Sequence, residues 1–170
     1  PELSAKAAVT YYTYGTGKST WTPGVGNANT GTNNLNIFEV PAELNYKVSS
    51  TGKIKVYGDW VINTDADARA LASSDTSSAK DDDTAWLLGL AYSSQVGKKA
   101  AAGDYNAKIW YQETGLYALD PNAVDSDFMD SRVNMQGTTF KAKYNIEDNI
   151  IADFAYGHAK RKNNSDRKSV

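Results

Sequence analysis

The segment IFEVPAELNYKV, residues 37–48, constrains the fold more than any other feature of the chain. Successive side chains of a strand point to opposite faces. Phe38, Val40, Ala42, Leu44, Tyr46 and Val48 therefore share one side, and Glu39, Pro41, Glu43, Asn45 and Lys47 share the other. A separation this complete over about ten residues specifies a strand with one apolar and one polar face. Pro41 is the discordant residue, because it lacks an N–H for the ladder; it predicts a β-bulge.

The same period recurs. KIKVYGDWVIN sets Ile54, Val56, Gly58, Trp60 and Ile62 against Lys55, Tyr57, Asp59, Val61 and Asn63, and after the turn SSTG it predicts a hairpin. DYNAKIWYQ, TTFKAKYNI and NIIADFAYGHA alternate likewise, TAWLLGLAYS is less cleanly two-faced, and SAKAAVTYYTY is the weaker strand. Roughly seven strands are predicted, an all-β antiparallel chain.

Such strands can face a soluble core or lipid. No apolar run approaches the roughly 20 residues a membrane helix requires, whereas a spanning strand needs only about 9–11 residues with alternate ones apolar. A net charge of -2, a pI near 5.4 and a mean hydropathy of -0.55 are thus compatible with a barrel that looks hydrophilic on average. Eleven Tyr and four Trp suit strands that carry rings at an interface. The absence of cysteine excludes disulfides and thiolate chemistry.

The connections fall into two classes. Residues 49–52 and 147–149 are short and 95–104 intermediate, while 15–36, 64–83 and 113–137 are long and rich in Gly, Asn, Ser, Thr and Asp. Several structureless loops of about 20 residues are rare in compact soluble domains, but short periplasmic turns alternating with long external loops are the habit of outer-membrane barrels. The expectation is an antiparallel up-and-down transmembrane β-barrel of which the chain supplies one segment, 1–170. The basic tail from Lys160 would be a solvated external loop, a returning strand is expected beyond it, and an exported protein would begin upstream of Pro1.

These residues resemble a family of bacterial porins. KIKVYGDWVINTDAD is similar to a family strand that ends in an aromatic and an Asn before an acidic loop. DDDTAWLLGLAYSSQVGKKAAAGDYNAKIWYQETGLYALDPNAVDSDF resembles its most recognisable segment, and FKAKYNIEDNI its last hairpin. The resemblance covers most of the chain from about Asn36. It implies an outer-membrane β-barrel porin in a bacterial cell, assembled as a homo-oligomer such as a trimer, in contact with outer-membrane lipid and passing small hydrophilic solutes without a cofactor. The family's terminal strand ending in an aromatic residue is missing here.

If the apolar faces meet lipid, the pore-lining charges are Glu39, Glu43, Lys47, Lys55, Asp59, Lys108, Lys141, Lys143 and Asp153. Mixed charges suit a water-filled passage; the alternative is the wet face of a soluble sheet. Tyr46, Trp60, Trp86, Tyr92, Tyr105, Tyr144 and Tyr156 would form girdles at the membrane boundaries. Residues 113–137 are the loop best suited to fold inward. Asp65, Asp67, Asp81, Asp82 and Asp83 offer oxygen ligands for a metal, as do Asp125 and Asp127, but without the ordered Gly and Glu of a calcium loop, and solvated acidic loops are commoner. His158 stands alone near a strand end, no catalytic constellation assembles, and an enzyme is not expected. GTGKST at residues 15–20 lacks the spacing and the helix of a phosphate loop. The charge balance gives no footprint for nucleic acid. Two other classes stay open: a structural or adhesive outer-membrane barrel acting through its long loops, and a soluble β-sandwich binding module.

Overall fold

A computed structural model of the chain describes residues 2–14, 35–72, 82–95, 101–120, 124, 133–147 and 150–162. Its strands are β1 (Glu2–Ala7), β2 (Thr10–Thr13), β3 (Asn36–Lys47), β4 (Lys53–Asn63), β5 (Thr84–Ser93), β6 (Tyr105–Thr114), β7 (Met135–Glu147) and β8 (Ile150–Arg161). They form one antiparallel meander in the order β1-β3-β4-β5-β6-β7-β8, with β2 also on β3. All-β is therefore correct, with β1 and β8 as open edges among the described residues.

Two details depart from the sequence reading. Pro41 produces no bulge, since β3 is unbroken and keeps one register with β4 from Ile37↔Asn63 to Lys47↔Lys53. Its carbonyl accepts from Ala8 N at 3.0 Å. A residue of an antiparallel ladder turns its N–H and C=O to the same neighbour, so the missing donor also faces Ala8. The edge strand breaks there, into β1 and β2, while β4 loses nothing. Among the described residues the only register shift lies between Asn145 and Glu147 on β7, at the last hairpin.

The second departure is a short helix, α1 (Ala66–Ala72), inside the 64–83 connection. It opens at Asp65, whose carbonyl accepts from Arg69 N at 3.0 Å, and Ala and Arg are strong helix formers.

The buried apolar residues lie at the end of the sheet where the long connections emerge. Leu35, Ile37, Val61 and Ala85 enclose Ala118, and Ala66 and Ala70 of α1 enclose Leu116 and Tyr117. At the opposite end the turns are held by polar bonds. Gly52 N donates to Ser49 Oγ at 2.7 Å. Asp104 carboxylate oxygens accept from Ala101 N at 2.9 Å and Ser94 Oγ at 3.2 Å. Gly103, at φ 84, takes a left-handed conformation that glycine adopts without strain.

Candidate functional site

Cross-strand register extends the two faces of single strands over the whole sheet. Leu44, Val56, Leu90, Ile109, Phe140 and Tyr156 are successive partners on one face. This apolar face is bare: Leu44 and Ile109 are 44% exposed and Leu88 and Phe154 57%. No second sheet or helix covers it among the described residues. A sandwich core would have buried these side chains.

Rings flank the aliphatic band. Trp60 and Trp86 are partners toward the long connections, with Tyr111 at 5.4 Å from the Trp86 ring. Tyr92 and Tyr105 stack at 5.2 Å toward the short turns, beside Tyr144, and Tyr46 lies at the same end of β3. Tyr156 departs from the expected strand-end position, lying mid-strand opposite Phe140. His158 lies on the apolar face opposite Thr138, exposed.

All nine proposed pore-lining residues share the other face, as the partners Glu39↔Val61, Asp59↔Leu87, Asn45↔Lys55, Lys108↔Lys141 and Lys143↔Asp153 require. Glu43 bridges Lys55 at 2.9 Å and Lys6 at 3.4 Å, Lys143 pairs with Asp153 at 3.1 Å, and Lys47 reaches Glu2 at 3.9 Å. Positive charge predominates at one end of the face, although Glu2, Glu43 and Asp153 pair with lysines there. Lys47, Lys53, Lys55, Lys108, Lys141 and Lys143 occupy the two rows nearest the short turns, and Glu39 and Asp59 lie toward the long connections. Reading strands one at a time missed Lys53 and Trp110; Lys53 is two residues from Lys55 and so on its face by the same rule.

The described parts of two long connections, residues 64–72 and 115–120, bend over this polar face. Ala118 packs on Ile37, Val61 and Ala85, which point to the same side as Glu39 and Asp59. Asn63 pins the segment, donating from Nδ2 to the Tyr117 carbonyl at 2.8 Å while its Oδ1 accepts from Asn36 N and Asp65 N, both at 3.1 Å. Tyr117 N donates to the Asp82 carbonyl at 3.0 Å. Leu119 and Val124 then wall a cavity of about 350 Å³ whose other lining includes Tyr12, Glu39, Asp59 and Gln112.

The acidic loop residues have structural work. Asp65 accepts from Asn36 Nδ2, Asp67 lies in the first turn of α1, and buried Asp82 pairs with Lys162 at 3.3 Å. Lys162 also bridges Glu113 at 2.9 Å. Burial opposes its charge, but the hydrogen bond to Glu113 and the field of Asp82 outweigh it and raise the pKa. The Asp83 carbonyl accepts from Asn63 N at 2.9 Å. Asp81, Asp125 and Asp127 lie outside the described residues, among which no three metal-ligating side chains converge.

Comparison of the chain with protein-family models, with curated proteins and with solved structures finds no match.

Proposed function

We propose that this chain forms part of the wall of an outer-membrane β-barrel channel that passes ions and small hydrophilic solutes. The observation that carries the reading is the inversion of the sheet: among the described residues its apolar face is uncovered across β3 to β8, while the described parts of two long connections fold onto its charged face. Lipid is the environment that stabilises the first arrangement, and a water-filled lumen the second. Lipid leaves no backbone polar group unsatisfied, so the reading requires β1 and β8 to be paired by strands outside the described residues or by another copy. The resemblance of 53–67 and 81–128 to porin segments agrees with it.

The chain has no cysteine, which makes single-cysteine labelling a clean test. The full-length protein in a planar bilayer should open in conductance steps. A membrane-impermeant thiol reagent should alter the current of Leu87→Cys and Ala91→Cys and leave Leu88→Cys and Leu90→Cys unchanged. Uniform reaction at all four positions, or insertion without conductance, would overturn the channel reading and favour a structural or adhesive role.

A further inference from the structure

The lysine rows near the short turns enclose a hollow of about 770 Å³ on the polar face. Five lysines line it, Lys53, Lys55, Lys108, Lys141 and Lys143, against the carboxylates of Asp153 in its lining and of Glu43, which pairs with Lys55 at 2.9 Å. Its floor is made of small residues, because Ala91 is the partner of Lys108 and Ala155 the partner of Lys141. Like charges placed directly opposite are destabilising in a sheet, and Lys108↔Lys141 is such a pair. Both ammonium groups lean over one ring, at 4.8 and 5.8 Å from the centre of Trp110, so the indole draws them together through cation–π attraction. The result is a concave surface with excess positive charge, room for a small molecule, and an anchored pair of donors at its centre.

We propose that this hollow is a binding station for compact, multiply charged oxyanions, phosphates or polycarboxylates, which makes the passage anion-preferring at its short-turn end. Such an anion spans two ammonium groups that the register sets directly opposite one another, and charge-assisted hydrogen bonds of this kind are the strong ones. The acidic pair Glu39 and Asp59 stands farther along the same face, so cations do not share the station. The inference rests on the channel reading, and its test separates the two.

The full-length protein is titrated in detergent with citrate and with inorganic phosphate while tryptophan emission is followed, and the same anions are added to chloride-conducting bilayers. The expected result is a saturable emission change that disappears in Trp110→Phe and weakens at least tenfold in Lys108→Gln/Lys141→Gln, with a matching loss of current block. Where that double variant does not fold, Lys53→Gln/Lys143→Gln replaces it. Citrate acting without phosphate assigns the station to polycarboxylates, and the converse to phosphates. An emission change without any conductance keeps the station and overturns the channel. Conductance with cation preference, and emission unmoved by either anion, keeps the channel and overturns the station.

Discussion

Leu88→Lys separates a lipid-facing sheet from a wet one by magnitude alone. Leu88 is the fifth of ten residues of β5, partnered by Gly58 and Tyr111 on the apolar face, and 57% exposed. On a solvated surface such a substitution changes stability by within about 0.5 kcal/mol. Near the middle of a bilayer a lysine on the lipid face of a barrel costs about 2–4 kcal/mol, falling to about 0–1 kcal/mol at the interfaces. Tyr92 is four residues further on the same face, roughly 13 Å along the strand at about 3.3 Å per residue. A tilt near 40° reduces that to roughly 10 Å of depth, enough to bring Tyr92 close to the boundary. Leu88→Lys should therefore shift the folding equilibrium in phospholipid vesicles by about 3 kcal/mol, roughly 150-fold, and Tyr92→Lys by less than about 1 kcal/mol. Urea titration of the full-length protein in vesicles measures both, with Ala91→Gln as the polar-face control. Three equal, small effects would refute the lipid assignment of this face.

Asn63→Ala removes the buried hydrogen bond that holds the Tyr117 carbonyl to the polar face, together with two half-buried ones from Asn36 N and Asp65 N; at about 1–3 kcal/mol per unsatisfied group the segment should detach, read as faster proteolysis after Tyr117 and a larger single-channel conductance. Gly137→Ala and Gly115→Ala would drive a Cβ into the His158 carbonyl and the Asp82 carbonyl, respectively. Backbone cannot swing aside, so each should destabilise by about 1–3 kcal/mol in urea titration, more than Gly89→Ala, where the obstacle is the Tyr57 ring. Lys162→Met leaves Asp82 buried without its ammonium partner and should cost about 3 kcal/mol. Because the folded pKa of Lys162 is raised, that contribution is fully present below the ordinary lysine range and is lost only as pH rises through the folded value. The cost, measured by thermal denaturation, should be flat from about pH 6 to 9.

The strands were legible because period two is written into each of them: TAWLLGLAYS and KIKVYGDWVIN match β5 and β4 residue for residue. The two faces followed from the same rule, and so did the side on which every proposed lumen charge falls. Proximity was not legible. Lys108 and Lys141 are partners only because β6 and β7 take a register with Tyr105 opposite Tyr144, and no single strand encodes that choice. Pro41 misled because a bulge is one of two ways to lose a ladder bond, and breaking the neighbouring edge strand is the other. Asp65 followed by ADARALA carried a helix signal, a capping residue before good helix formers, hidden by reading the whole connection as polar. The buried cluster of Leu35, Ile37, Val61, Ala85 and Ala118 joins residues up to 83 positions apart, contacts that alternation cannot announce.

In the channel proposed above, the uneven spread of charge would give the two ends of the polar face different tasks. At the long-connection end, apolar contacts to Ile37, Val61 and Ala85 hold the Leu116–Leu119 turn over Glu39 and Asp59, which narrows the space above the acids. At the short-turn end the same face widens over alanines, and the lysines stand apart from any covering segment among the described residues. A solute moving through a lumen lined this way would meet the narrow acidic level and the wide basic one in sequence. Low-dielectric walls strengthen each field. The acidic level disfavours anions and the basic level retains them, so transit of an anion should be limited at Glu39 and Asp59 rather than at the lysines. Glu39→Gln/Asp59→Asn should then raise anion current while leaving citrate affinity at the station unchanged. A fall in affinity together with an unchanged current would show that the two levels act as one site.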